Sequence, residues 1–364
     1  MITSTVRDGI AVAVFDTPGE KVNVLSTVFL GEFEAELDRI AADGSVRGLV
    51  LASAKPDCFL AGADLKAMRG LMTAADPRAE GERIARAGHR LMAKIEAFRV
   101  PVLAAIGGVC LGGGTELALA CRYRIASAED ATKIGLPEVK LGILPGWGGT
   151  VRLPELVGVR AALDLIMTGR ELAARQAVKI GLVDETAPGA ILHEAAVTFL
   201  ARALKDGGAR VRAKRKSVRG VIGRLLIDAN PLVRPLVCAY ARRSADAKTH
   251  GAYPAPLRAA RVLGQRGGGG RAAAFDREAA ALGDLLATPE ARSLLGLFFL
   301  TQEAKAAGPA VAPRPVRAAA VVGGGLMGSG IATVFANRTI PVRIKDVGVP
   351  EMAKSVKIAA DHFR

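Results

Sequence analysis

Apolar positions gather in short runs separated by stretches of helical spacing. Gly9–Phe15 (GIAVAVF), Gly48–Ala52 (GLVLA) and Val100–Ile106 (VPVLAAI) are short and apolar enough to be buried strands. Between the first two, Val28–Ile40 repeats its apolar residues at helical spacing, which predicts a helix. Strand, glycine turn and helix recur in this way to about residue 190, and that alternation predicts an α/β fold. From about 191 to 308 the strand pattern gives way to helical sequence rich in Ala, Leu and Arg, broken at Gly267–Gly270. Gly308–Pro315 (GPAVAPRP) carries three prolines in eight residues and predicts a stiff linker. A new strand, Ala318–Val322, then opens a second α/β unit. The expected organisation is an α/β domain over 1–190, a helical connector with its linker over 191–315, and a second α/β segment over 316–364.

Composition narrows the classes. With 364 residues, of which 50% are hydrophobic, the chain can bury a sizeable core. Cys58, Cys110, Cys121 and Cys238 show no CxxC spacing and lie in apolar surroundings, so reduced core thiols in a cytoplasmic protein are expected, and no metal. No charged-then-apolar leader opens the sequence, and no apolar run reaches the roughly 18 residues of a membrane span, so a soluble protein is expected. The net charge of +15 is concentrated in part between Arg202 and Arg219, with eight Lys/Arg and one acid, Asp206. No aromatic residue interrupts these cations, which argues against nucleic acid. A phosphate-bearing ligand such as coenzyme A or an anionic membrane surface fits better, and a solvated basic face is the plain alternative.

Two glycine-bearing turns follow apolar segments: Cys58–Leu65 (CFLAGADL), and Gly107–Gly114 (GGVCLGGG), which leads into a helix beginning near Thr115. Clustered glycines let a ligand approach the backbone and turn N–H groups outward, and a helix N-terminus adds a positive dipole end. Two such turns brought together would make a donor pair for an oxyanion. Glu116 is flanked by Leu117, Ala118, Leu119 and Ala120, and Glu138 lies in the apolar GLPEV of 135–139. Acids within apolar stretches are costly unless paired or used, and burial lifts their pKa toward the range suited to proton transfer. A helix-capping role for Glu116 and a loop position for Glu138 are the ordinary alternatives.

The strings FLAGADL (59–65), LGGGTELALAC (111–121), IGLPEVKLGILPGWGGTVRLPELVG (134–158) and TGRELAARQAVKIGLVD (168–184) resemble the crotonase, or enoyl-CoA hydratase, superfamily. The resemblance implies a spiral of ββα units with an acyl-CoA substrate bent into a pocket. It implies that Ala63 and Gly113 supply the two backbone donors to the thioester oxygen, and that Glu116 and Glu138 are the catalytic carboxylates of a trans-2-enoyl-CoA hydratase. The chain departs from the family at Gly107, where a polar side chain is usual. Isomerisation of Δ3 to Δ2 enoyl-CoA is the nearest rival activity, and a non-catalytic CoA-binding assembly subunit the rival of another class.

Near the end, Gly323, Gly325 and Gly328 form GxGxxG directly after a strand, and Asp346 ends the next strand, Val342–Ile344. Strand, glycine turn, helix and acid in that order make a dinucleotide fingerprint, with NAD favoured over NADP because Asp346 would accept the ribose hydroxyls. The cofactor-binding set is Gly323, Gly325, Met327, Gly328 and Asp346. The succession of regions, with GAYPAPLRAARVL (251–263) and TPEARSLLGLFFLTQEAKA (288–306), resembles the α-subunit family of the multifunctional fatty-acid oxidation complex. That implies a 3-hydroxyacyl-CoA dehydrogenase activity, an oligomer, and a thiolase subunit as partner. The sequence ends at Arg364, so an incomplete nucleotide unit with little NAD affinity is expected, and Thr339 stands where that family usually has glycine.

Overall fold

A computed structural model describes residues 2–219, 230, 233–265, 270–306 and 314–362. Gly267–Gly269 of the predicted break and residues 308–313 of the predicted linker lie outside the described residues. The chain forms two compact units, Met1–Leu300 and Thr301–Arg364.

The first unit holds two sheets. Strands β1 (Ile2–Arg7), β2 (Ile10–Phe15), β3 (Gly48–Ser53), β5 (Val102–Ile106), β7 (Tyr123–Ser127) and β10 (Glu185–Ala187) form one, in the order β1-β2-β3-β5-β7-β10. Strands β4 (Cys58–Leu60), β6 (Val109–Leu111), β8 (Lys133–Gly135) and β9 (Glu171–Ala173) form the other, in that order. β1–β2 and β8–β9 pair antiparallel, and the remaining neighbours pair parallel. β3 and β5 are buried along their whole length, as continuous apolar runs in a parallel sheet should be. Each successive pair, β3 with β4, β5 with β6 and β7 with β8, gives its first strand to the large sheet and its second to the small one. Helices Leu65–Met72 and Pro77–Glu96 follow β4, helix Gly113–Ala120 follows β6, and a 3₁₀ turn, Glu138–Leu141, follows β8. This is the ββα spiral that the sequence resemblance implied.

Strand β1 escaped the pattern because ITSTVR is polar and mostly exposed, an edge strand whose pairing rather than burial defines it. It joins β2 through Asp8 (φ 52) and Gly9 (φ 76), the two-residue turn with positive φ at both positions that suits a hairpin. Gly9 therefore belongs to the turn, not to the strand.

The predicted helix spans Thr27–Ala42, and the Ser26 side chain caps it by accepting from Phe29 N at 3.2 Å. Phe29, Phe33, Leu37 and Ile40 form its buried face. Phe15 from β2 meets Phe29, Phe33 and Phe59 at ring-centroid distances of 5.3, 5.5 and 5.8 Å, a packed aromatic centre between helix and sheets. On the opposite face of the large sheet, helix Leu192–Lys205 buries Ala196, Phe199 and Leu200 against Val50, Leu103 and Ile125.

The later helices Val233–Thr249, Pro254–Gly264 and Gly270–Leu286 place Cys238, Ala259, Leu263, Leu282 and Leu286 in the same hydrophobic core as the strands. Helix Gly270–Leu286 crosses helix Pro77–Glu96 through paired glycines. A Cβ added at Gly283 would lie 2.6 Å from the Arg78 carbonyl oxygen, and one at Gly81 2.9 Å from the Gly283 Cα. Only glycine admits so close an approach, and it fixes where this helix meets the rest of the unit.

The second unit runs from strand β11 (Ala319–Val322) through helix Leu326–Asn337 to the parallel strand β12 (Val342–Lys345), followed by helix Val349–His362. It is the start of a Rossmann-type nucleotide-binding fold. Thr339 adopts φ 58 just past the first helix, the left-handed position where glycine is otherwise favoured.

Candidate active site

Three adjacent strand ends build the site. β4, β6 and β8 lie side by side and parallel, so the residues following them emerge together: Ala61-Gly62-Ala63, Gly112-Gly113, and Leu136-Pro137-Glu138. Carboxyl ends of parallel strands are the usual binding edge of such sheets. Gly62 (φ 106) and Gly112 (φ 54) take backbone conformations that a side chain would strain, and a Cβ at Gly112 would lie 3.8 Å from the Gly62 Cα. The two glycine turns therefore touch, and each is followed by an amide, Ala63 N–H and Gly113 N–H. Neither amide has a protein acceptor among the described residues. Thr115 Oγ1 donates to the carbonyls of Cys110 (2.7 Å) and Gly135 (2.8 Å), hydrogen bonds that compete for the same proton and pin the helix start between β6 and β8.

Ala63, Gly113, Glu116 and Glu138 all line one cavity of about 410 Å³. Its walls are otherwise largely apolar, with Met68, Leu141, Leu144, Trp147, Leu282 and Phe298 among them. Glu116 belongs to the first turn of helix Gly113–Ala120 and is buried. Its Oε1 accepts from Trp147 N and Gly149 N, each at 2.7 Å. Burial pushes the Glu116 carboxyl well above the usual range, the charges of Glu138 and Glu278 push the same way, and the two amides oppose them. Glu138 opens the 3₁₀ turn, and its Oε2 is sealed from solvent with no hydrogen-bond partner. Burial raises Glu138 to about 8, with the charge of Glu278 adding to it and the residue's own amide opposing. Two carboxyls that burial raises thus share an apolar cavity and face a pair of outward amides. That set can stabilise an enolate-like oxygen while moving protons at neighbouring carbons.

Sequence reasoning missed one acid beside them. Glu278, fully buried on helix Gly270–Leu286, accepts from Gly148 N at 2.6 Å, Thr150 N at 2.8 Å and the Thr150 hydroxyl, and its Oε1 lies 2.8 Å from His89 Nε2. The available signal was its place on the helix face shared by Phe275 and Leu282, three before and four after it, where an acid is out of character.

The four cysteines are buried free thiols. Burial pushes Cys110 and Cys121 up to about 12, which leaves them without nucleophilic character. In the basic stretch, Arg215 grips the Asp184 carboxylate through two 2.7 Å bonds, Lys214 donates to the Asp184 carbonyl, and Arg202 pairs with Glu185 at 2.6 Å. These cations fasten helices Leu192–Lys205 and Ala209–Arg219 to the ends of β7 and β10. The side chains of Lys216 and Arg219 lie outside the described residues.

In the second unit, the turn after β11 contains Gly323 (φ 90) and Gly325 and leads into helix Leu326–Asn337, whose third residue is Gly328. A Cβ at Gly328 would lie 1.8 Å from the Gly323 carbonyl oxygen, whereas nothing lies within 4 Å of one at Gly325. The glycines thus close the turn tightly on one side and leave it open on the other, and Met327 is exposed beside it. Asp346 accepts from Gly324 N at 2.7 Å, which ties the acid after β12 to the glycine turn and holds its carboxyl below the usual range. A backbone cradle at a helix N-terminus with an acid at its rim fits a dinucleotide.

The model of the enoyl-CoA hydratase/isomerase family matches residues 5–229, and that of the 3-hydroxyacyl-CoA dehydrogenase NAD-binding domain matches residues 318–363. Among solved structures, an enoyl-CoA hydratase from Bacillus anthracis is similar at 33% identity and a TM-score of 0.52, over 63% of this chain and 84% of that one. One from Geobacillus kaustophilus HTA426 is similar at 31% identity and a TM-score of 0.51, over 69% and 92%. The human mitochondrial Δ3-Δ2-enoyl-CoA isomerase shares the fold at 22% identity and a TM-score of 0.57, over 84% and 98%.

Proposed function

The chain belongs to the enoyl-CoA hydratase/isomerase family, and from that premise we propose that it adds water across trans-2-enoyl-CoA to give 3-hydroxyacyl-CoA. The observation that carries this reading is the presence of two carboxyls, the buried Glu116 and the half-buried Glu138 with its sealed Oε2, in one cavity with the free amides of Ala63 and Gly113. A conjugated thioester accepts water at Cβ when charge can build on its carbonyl oxygen. Two backbone donors aimed at that oxygen support the charge, each worth roughly 3–4 kcal/mol in the transition state.

The dyad divides its work by environment. Two amides donate to Glu116 and favour its charged form, whereas Glu138 Oε2 has no donor. When the pair shares one proton, that proton rests on Glu138 and the charge on Glu116. Glu116 then takes a proton from the attacking water, and Glu138 gives one to Cα. The apolar walls seat the acyl chain. Hydration needs both groups, while shifting a double bond along the chain needs a single carboxylate as shuttle, so a pair in one cavity favours hydration.

In the second unit, Gly323, Gly325, Met327, Gly328 and Asp346 would hold NAD, which when bound accepts hydride from a secondary alcohol such as the 3-hydroxyacyl product. The test of the hydratase reading is turnover of trans-2-enoyl-CoA by the chain and by its Glu116→Gln and Glu138→Gln variants. Each variant is expected to lose about 10²–10⁴-fold in rate and to keep acyl-CoA binding. Near-native turnover by either removes that residue from the mechanism.

A further inference from the structure

Four consecutive amides between the cavity and helix Gly270–Leu286 are shared out between two acids. Trp147 N and Gly149 N donate to Glu116 at 2.7 Å each. The alternate amides, Gly148 N and Thr150 N, donate to Glu278 at 2.6 and 2.8 Å, and the Thr150 hydroxyl joins them. A peptide segment whose successive N–H groups point to opposite sides cannot shift toward one acid without leaving the other. The segment has little slack. A Cβ at Gly149 would lie 2.9 Å from Glu116 Oε1, and one at Gly146 2.4 Å from Leu282 Cδ2. Gly148, at φ 105, would bring a Cβ to 1.9 Å from Arg152 Nη1.

Glu278 is itself fixed from behind. His89 Nε2 sits 2.8 Å from its Oε1, and the His89 ring packs at a tilt against Phe275, with centroids 4.9 Å apart, one helical turn before Glu278. The glycine crossing of Gly81 and Gly283 joins the two helices that carry His89 and Glu278. Glu278 does not line the cavity, so it does not meet substrate there.

We propose that Glu278 is a positioning residue: by holding Gly148 and Thr150 it sets the Trp147 and Gly149 amides, and through them the place of the Glu116 carboxyl in the cavity. The inference rests on the reading of Glu116 as an acid–base group. Misplacing a reacting group by about 1 Å can cost on the order of 100-fold in rate, so the expected effect falls on the chemical step and not on substrate binding.

Glu278→Gln keeps the size of the side chain but turns an amide donor toward Gly148 N or Thr150 N. It is expected to lower kcat about 10- to 100-fold and to change KM less than about threefold. Because Glu278 acts through Glu116, the same substitution in the Glu116→Gln background should change residual kcat less than about threefold. Equal losses in both backgrounds, or native kcat in folded Glu278→Gln, overturn the proposal. Should Glu278→Gln not fold, Thr150→Val removes one donor and is expected to lower kcat about three- to tenfold with KM unchanged; native kcat there overturns it as well. A crystal structure of Glu278→Gln or Thr150→Val separates this proposal from the hydratase reading. A displaced 147–150 segment and Glu116 carboxyl are expected whatever the reaction, and an unmoved Glu116 carboxyl refutes the proposal even if hydration is confirmed.

Discussion

Raising the pH is the simplest perturbation of the dyad, and its effect follows from Glu138. That carboxyl is raised to about 8 because it is buried, with one oxygen unpartnered and the charge of Glu278 nearby. A raised carboxyl keeps its proton up to its shifted value and loses it above, so the form able to protonate Cα is the acid form below about 8. A single titration at that value leaves about 90% of Glu138 protonated at pH 7, about 10% at pH 9 and about 1% at pH 10. With the charge of the one-proton dyad on Glu116, hydration should therefore fall about tenfold from pH 7 to pH 9 and about tenfold again by pH 10. The quantity to follow is kcat/KM, which reports ionisations of the free enzyme, measured from initial loss of enoyl-thioester absorbance at constant ionic strength with enzyme-free blanks. Glu138→Gln, with no proton to lose, should be slower by about 10²–10⁴-fold and show no such alkaline limb. A flat profile from pH 7 to pH 10 in the native chain, or the same limb in Glu138→Gln, refutes the assignment of the proton to Glu138.

Three further outcomes follow from other parts of the molecule. Gly113→Pro removes a proposed oxyanion donor and should lower kcat about 10²–10³-fold. Gly113→Ala keeps the N–H but carries the same close contact with Leu25, 2.9 Å from an added Cβ, so equal losses in the two variants contradict the donor role. Asp184→Ala leaves the Arg215 guanidinium without its two carboxylate bonds and the buried Arg124 without its acid neighbour, and should destabilise the first unit by about 3–5 kcal/mol in denaturant titration. Thr339→Gly relieves a left-handed threonine and should slow amide exchange in helix Leu326–Asn337, by an amount corresponding to about 1 kcal/mol.

How much could be read from the sequence depended on whether the contact was local. Strands β2, β3 and β5, the glycine turns and both cavity acids were legible because each is written in a few adjacent residues, and parallel strand pairing then carries those turns to one edge. Helix Gly113–Ala120 starts two residues earlier than Thr115 suggested, because the glycines themselves enter the first turn. Strand β1 was missed because edge strands need not be apolar. Glu278 was missed for another reason. It sits among Asp276, Arg277 and alanines in sequence that reads as a solvated helix, and its burial comes from a glycine crossing between residues about 200 positions apart, Gly81 and Gly283. The apolar tail of the cavity was hidden in the same way, since Leu282, Leu286 and Phe298 come from the stretch that pattern alone assigned to a connector.

The central claim is that Glu116 and Glu138 add water to a conjugated thioester, and product identity tests it most directly. Purified protein is incubated with trans-2-enoyl-CoA and, separately, with trans-3-enoyl-CoA, and both products are followed by absorbance and mass. The account predicts that the trans-2 substrate loses its conjugated absorbance and gains the mass of one water, with the new hydroxyl at C3. An unchanged trans-2 substrate, together with a trans-3 substrate that gains conjugation at constant mass, would contradict it and identify an isomerase.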